Sequence, residues 1–222
     1  MLFRDSLMAK ARPYVQAELQ KPFLLGIAKG DLSVDRFQYW LKVDYQYLIH
    51  YAKTLALGLA KADSLETVRA ISRLIDDTVN KEMVLHETYA ARFGVSQGQL
   101  AGQKMGPIKY SYACHELAAA HRGSLGELIA ALLPCEWGYA EIGRSLAQKP
   151  VDPANPFRDW LALYSSDEYG ETASLYWGLL DRLAPTSSDS QLRQMEDNFV
   201  TSFQYEVLCW DEYYNKGQWT IC

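Results

Sequence analysis

The segment SLGELIAALLPCEWGYAEIGRSLAQ (residues 124–148) decides the fold. Leu128, Leu132, Cys135, Tyr139, Ile142 and Leu146 recur at spacings of three and four, which puts them on one face of an α-helix with the Cys135 thiol at its centre. Ser124 and Glu127 have capping-box spacing at the start of this helix, which is expected to run to about Gln148. Pro134 falls inside it. Proline has no amide hydrogen and its ring clashes with the carbonyl four residues back, here Ala130, so a kink is expected next to the thiol. The competing reading is that Pro134 only bends a long helix around the core and Cys135 is an inert small filler.

Two further stripes carry a charge where Cys135 sits on the first. Phe37, Leu41, Asp44, Leu48, Tyr51 and Leu55 form one, and Phe199, Phe203, Glu206, Trp210 and Tyr213 form the other. An unpaired carboxylate on a core-facing stripe costs several kcal/mol or takes up a proton, so Asp44 and Glu206 are candidate site residues. Tyrosine is abundant, with fifteen in the chain, and Tyr47, Tyr51, Tyr112, Tyr139, Tyr164 and Tyr205 read as inward-facing. A ring with a hydroxyl tip stacks on, and hydrogen-bonds to, a flat polar ligand.

Working outward, the rest of the chain also reads as consecutive amphipathic helices, with no alternating β-branched runs bounded by hairpin turns. Asp31 or Ser33 precedes a helix over 34–60. Asp63 or Ser64 precedes one over 65–93, closed by Gly94, and Pro107 suits a first helical turn. Asn155-Pro156 opens a short helix ending near Tyr164, Ser166 caps one to about Leu183, and Ser187 or Ser188 caps the last, to Lys216. The expectation is an all-α, single-domain helical bundle over residues 1–222, with 149–156 and 184–189 as internal loops.

Composition excludes several functions. The chain of 222 residues is 49% hydrophobic with a formal charge of -5, and no basic stripe is present to neutralise a run of phosphates, so nucleic acid is not an expected partner. The N-terminal MLFRDSLMAKARPY has too short an apolar core for a signal peptide and no stretch reaches a membrane span, so the protein is read as cytoplasmic. Cys114, Cys135, Cys209 and Cys222 contain no CxxC pair and are expected to remain thiols.

The segments FQYWLKVDYQYL (37–48), LPCEWGYAEIG (133–143), WLALYSSDEYG (160–170) and SFQYEVLCWDEYY (202–214) resemble the TenA/thiaminase II family, in order and at similar spacing along nearly the full chain. The resemblance implies a heme-oxygenase-like bundle without haem and an aminopyrimidine aminohydrolase activity, usually in a homotetramer. It also implies a small-molecule aminopyrimidine or thiamine as substrate, and a pocket matched here by Asp44, Tyr47, Tyr112, Cys135, Tyr139, Tyr164 and Glu206. No metal or other cofactor is expected, since the chain lacks Glu-x-x-His pairs, clustered cysteines and glycine-rich phosphate loops. Cys135 marks the cysteine-containing branch. Two positions depart from the family pattern: Cys209 stands where many relatives have Phe, and Gly138 is smaller than the usual residue, so the pocket is expected to be roomier.

The chemistry of these side chains agrees with that implication. A thiolate adding to C6 of an aminopyrimidine, with protonation of N1, makes the ring an electron source that expels a leaving group from the C5 methylene. Free cysteine has a pKa of about 8.5 and needs a base nearby; Asp44 is read as that help, and Glu206 as the acid for N1. Two alternatives are carried. A di-iron oxidase of the same fold needs Glu-x-x-His pairs, which are absent from the sequence; Glu82 and His86, four apart, read as a surface or packing pair. A non-catalytic pyrimidine-binding or regulatory protein would keep the stripes but require neither Cys135 nor Glu206.

Overall fold

From Leu128 to Ala140 every residue is buried in the computed structural model, which describes residues 2–220. The helix that the sequence presents as one stripe therefore has no solvent face over its middle, the mark of a central helix wrapped by others. Eleven α-helices make up the described residues: α1 (Phe3–Glu18), α2 (Pro22–Lys29), α3 (Val34–Leu59), α4 (Leu65–Asp77), α5 (Met83–Arg92), α6 (Gln97–Gly102), α7 (Pro107–Arg122), α8 (Leu125–Leu146), α9 (Arg158–Tyr164), α10 (Asp167–Leu183) and α11 (Asp189–Asn215). A π turn, Thr78–Glu82, joins α4 to α5, and a 3-10 turn, Ala184–Thr186, follows α10.

The central helix α8 packs chiefly on α11 and α10 and also touches α7 and α9, while α3 lies against α7, α4, α5 and α6. Every helix except α6 contributes to one continuous hydrophobic core, and Leu100 of α6 joins Ala90 and Val95 in a small satellite. Asp44 on α3, Cys135 on α8 and Glu206 on α11 are all buried, as are the apolar members of their stripes except the partly exposed Leu146.

Local chemistry sets the helix ends where the sequence places them. The hydroxyls of Ser64, Ser124, Ser166 and Ser188 accept hydrogen bonds from the amides of Thr67, Glu127, Tyr169 and Gln191, and Ser188 with Gln191 completes a reciprocal capping box. Gly94 closes α5 with a φ of 73°, a conformation that a residue with a Cβ adopts only at a cost. Cys114, Cys135 and Cys209 are free thiols; Cys222 lies outside the described residues.

One boundary is corrected. The expected single helix over 65–93 is interrupted by the π turn, which adds a residue to one turn of the helix. Along α4 the inward positions Thr67, Ile71, Leu74 and Thr78 follow the ordinary period; beyond the π turn the next fully buried position is His86, where a straight helix would present Leu85. Pro134 does not break α8, which is helical from Leu125 to Leu146. Next to the carbonyl that Pro134 deprives of its donor, the Ser202 hydroxyl donates to the Ala131 carbonyl at 2.7 Å, tying α11 to α8 one turn before the thiol.

Candidate active site

Asp44 is held by two cations. One carboxylate oxygen lies 2.9 Å from His86 Nε2 and the other 3.8 Å from Lys109 Nζ, and all three side chains are buried. The second ring nitrogen of His86, Nδ1, is 3.0 Å from the Glu82 carbonyl. A carbonyl and a carboxylate are both acceptors, so the ring must donate from both nitrogens and His86 is an imidazolium. Burial is the largest influence and would lower its pKa, but the hydrogen bond it donates to Asp44, the Asp44 charge and its interactions with Glu82 together outweigh burial, and the value is raised. His86 is therefore part of the site, not the surface or packing residue that the sequence reading made it.

Glu206 faces the other way, toward the thiol. Burial raises its pKa, the Lys109 charge counters that rise, Asp44 adds to it, and the nearby Tyr112 hydroxyl and Cys135 thiol favour the ionised form. Neither reaches hydrogen-bond geometry, and both Glu206 oxygens are buried without a partner. The Cys135 thiol is pushed up by burial and by Glu206, with Lys109 opposing. Of the two carboxylates it is thus Glu206 that looks on Cys135, while Asp44 is turned to His86 and Lys109.

The tyrosines form the walls. Tyr47 and Tyr112 stack with centroids 5.7 Å apart, Tyr139 lies 4.9 Å from Tyr164, and Tyr205, only half-buried, stacks on the outer side of Tyr112 at 5.5 Å. The Tyr47 hydroxyl donates to Glu116 at 2.7 Å. Burial raises the pKa of Glu116 to about 8, against the pull of Tyr47 and Lys109, so it is a neutral acid at pH 7. The Tyr164 hydroxyl is 3.4 Å from the Glu82 carboxylate, whose pKa burial raises to about 8, with Glu136 adding to the rise. Glu136 next to the thiol is buried and raised to about 7 by burial, with the nearby Tyr169 and Tyr51 hydroxyls favouring the ionised form. Gly143 lets α8 approach α9 closely, since a Cβ there would overlap the Tyr164 carbonyl and lie 2.7 Å from the Ser165 nitrogen.

Five buried polar atoms in this pocket have no hydrogen-bond partner: Lys109 Nζ, the hydroxyl oxygens of Tyr112 and Tyr139, and both carboxylate oxygens of Glu206. Each unmet group costs roughly 1–3 kcal/mol, so their convergence around Cys135 marks a place that a polar molecule satisfies. A separate cavity of about 330 Å³ opens beside it, lined by Glu82, Glu136, Leu163 and Tyr169 together with the exposed Lys81 and Glu168. Cys135, Asp44 and Glu206 do not line that cavity; Glu82 and Glu136 stand between it and the thiol pocket. Among the described residues no three His, Cys, Asp or Glu side chains are grouped so as to hold a metal ion.

The all-α bundle and this pocket of thiol, acids and tyrosines define a class: a model of the TENA/THI-4/PQQC family matches residues 8–216, and the chain belongs to that family. Among its relatives, an aminopyrimidine aminohydrolase of Halalkalibacterium halodurans is 40% identical over 220 residues, covering 99% of this chain and 98% of that protein. One of Bacillus subtilis is 32% identical over 221 residues, covering 99% and 93%. In three dimensions, a TenA family transcription regulator from Silicibacter sp. superposes with a TM-score of 0.87 at 28% identity, covering 96% of each chain. A domain with a heme oxygenase-like fold from Shewanella denitrificans superposes with a TM-score of 0.75 at 12% identity, covering 97% and 93%, and shows the fold alone.

Sequence reasoning placed Asp44, Tyr47, Tyr112, Cys135, Tyr139, Tyr164 and Glu206, and the structure buries all seven. It missed Lys109, Glu116, Glu136 and His86. Lys109, Tyr112 and Glu116 fall on one face of α7 at spacings of three and four, so the signal for the two charged residues is present in the sequence. Glu18 on α1 was also missed; it is buried, accepts a hydrogen bond from Trp210 Nε1 at 3.2 Å, and is pushed up by burial and by the nearby Glu206.

Proposed function

We propose that this chain is an aminopyrimidine aminohydrolase that replaces the amine on the C5 methylene of a 4-amino-2-methylpyrimidine with water, using Cys135 as nucleophile. The observation that carries this reading is the convergence of unpartnered polar atoms from Lys109, Tyr112, Tyr139 and Glu206 on the one buried thiol of α8. A heteroaromatic ring with an amino group and ring nitrogens supplies both donors and acceptors to such a set, and the stacked tyrosines supply its faces.

The steps follow from which groups face which. Glu206 takes the proton of Cys135 as sulfur adds to C6, and the same proton is delivered to ring N1. The electron pair thus gained by the ring expels the amine from the methylene, the C–N bond breaking as nitrogen takes a proton from a neighbouring acid. Tyr164, with the neutral Glu82 behind it, is the candidate for that donor. Water then adds to the exocyclic methylene, the C6–S bond breaks, and N1 returns its proton. Asp44, fixed by His86 and Lys109, binds the 4-amino edge. This assigns thiol activation to Glu206 where the sequence reading gave it to Asp44. The homotetramer and a cytoplasmic setting belong to the same reading.

Purified protein given thiamine, formylaminomethyl- and aminomethyl-aminopyrimidine side by side, with products followed by mass spectrometry, tests the proposal. Hydroxymethylpyrimidine is the expected product. Binding without turnover of all three favours a non-catalytic pyrimidine-binding protein.

A further inference from the structure

Lys109 is the least expected group in the molecule. Its side chain is fully buried, its Nζ has no hydrogen-bond acceptor, and it lies 3.4 Å from the centre of the Tyr47 ring and 3.8 Å from Asp44. An ammonium in such a place costs several kcal/mol unless anions surround it. They do: Glu206 from α11 and Asp44 from α3 act to keep the proton on Lys109, against the burial that acts to remove it, and a thiolate at Cys135 would add to that hold. Its backbone is anchored as firmly. The Glu212 carboxylate on α11 accepts hydrogen bonds from the amides of Ile108 and Lys109 at 2.7 and 3.0 Å, fixing the first turn of α7 against the site.

We propose that Lys109 is a positioning residue for thiol activation: a fixed internal cation that stabilises the Cys135 thiolate and lets two carboxylates share one closed pocket with it. The proposal rests on the hydrolase reading for its meaning in turnover, but the ionisation of Cys135 can be read without any substrate. The acids that bear on it are known. Glu206, Glu136 and Glu116 each oppose formation of the thiolate, and Lys109 is the principal group favouring it. The hydroxyls around the thiol, on Tyr47, Tyr51, Tyr112, Tyr139, Tyr164 and Tyr176, are held neutral by burial and lend no positive charge. His86, the other buried cation, is committed to Asp44. Cys209 on α11 faces the same ammonium and shares its field.

The test is the pH dependence of iodoacetamide labelling, quantified on the Cys135 peptide by mass spectrometry, with the exposed Cys114 as internal standard. An opposite charge a few ångströms away shifts an ionisation by about 1–3 units. Lys109→Met is therefore expected to move the Cys135 labelling midpoint up by about one unit or more, slowing labelling at neutral pH roughly tenfold, while Cys114 is unchanged. Lys109→Arg is expected to bring the midpoint back toward wild type. An unchanged midpoint in folded Lys109→Met overturns the proposal and leaves Lys109 as packing. Should that variant not fold, Lys109→Met/Glu206→Gln is compared with Glu206→Gln alone, one buried charge of each sign then being removed. A higher midpoint in the pair supports the proposal, and equal midpoints overturn it. Loss of turnover with any substrate leaves the labelling result intact, so failure of the hydrolase reading and of this one are separable.

Discussion

Replacing Gly143 by alanine measures how tightly the site depends on one helix–helix approach. The added Cβ would overlap the Tyr164 carbonyl and stand 2.7 Å from the Ser165 nitrogen, against an ordinary carbon–nitrogen contact of about 3.4 Å, so the end of α9 must retreat by at least roughly 0.7 Å. Because the obstacle is backbone, no rotamer change relieves it. Overpacking of this kind costs about 2–3 kcal/mol. Alanine in a helix gains about 1 kcal/mol over glycine, which leaves a net loss of about 1–2 kcal/mol and a Tm lower by about 2–8 °C for a chain of this size. Tyr164 moves with α9, and a misplacement approaching 1 Å costs up to about a hundredfold in rate, so kcat/KM should fall at least roughly tenfold. Gly138→Ala is the control. There the nearest atom is a Phe203 ring carbon at 3.4 Å, an ordinary contact, so the helix-propensity gain survives and Tm rises by about 2–4 °C. Thermal unfolding and steady-state turnover of both variants decide the matter. A Gly143→Ala protein as stable and active as wild type would refute the reasoning.

Cys135→Ser is expected to remove nearly all turnover and to retain ligand binding, measured by calorimetry, because a hydroxyl has a similar shape and is a far poorer nucleophile. Glu206→Gln should lower the chemical step strongly and Asp44→Ala should chiefly weaken substrate binding, so that their losses in kcat/KM roughly add in the double variant; a double variant little worse than the poorer single one would place both carboxylates in one step. Glu116 is neutral in the folded protein up to about pH 8 and ionised in the unfolded chain above about pH 4.3, so the native state holds one more proton across that window and stability falls as pH rises through it. Glu116→Gln keeps an acceptor for Tyr47 and should flatten that slope by about 1.4 kcal/mol per pH unit, which denaturant unfolding at pH 5.5 and 7 will detect or exclude. Turnover should survive exhaustive EDTA treatment, since the electron sink proposed is the substrate's own ring; activity lost to chelation and restored by iron would favour the di-iron alternative.

The sequence carried the fold because its signals were local and redundant: three stripes of period 3.6, serine caps at four helix starts, and glycine at a helix end. It also carried the inward acids Asp44 and Glu206, since a charge amid large apolar residues at helical spacing has one reading. It failed where polarity inside was hidden by the ordinary habits of residues. Lysine is among the rarest residues to be fully buried, so residue type gives no reason to read Lys109 as inward, and Glu136 sits on a helix with no outer face, which one stripe cannot reveal. Which carboxylate faces the thiol is a question of contacts between helices far apart in sequence, and no spacing within one helix answers it.

The π turn at Thr78–Glu82 makes the polypeptide between α4 and α5 a chain with two phases. One residue of an α-helix subtends about 100°, and because the π turn takes up one residue more than an α turn, His86 stands where a straight helix of the same length places Leu85. Deleting the exposed Asn80 would leave a straight helix with His86 seven residues after Thr78, still turned to Asp44, whereas straightening the turn at full length would swing His86 away by about 100°. The geometry of the site thus depends on a count as much as on an identity. A relative one residue shorter in this turn would keep its histidine in place on an unbroken helix, and a relative of full length without the π turn would have to supply the partner of Asp44 from position 85 of this numbering.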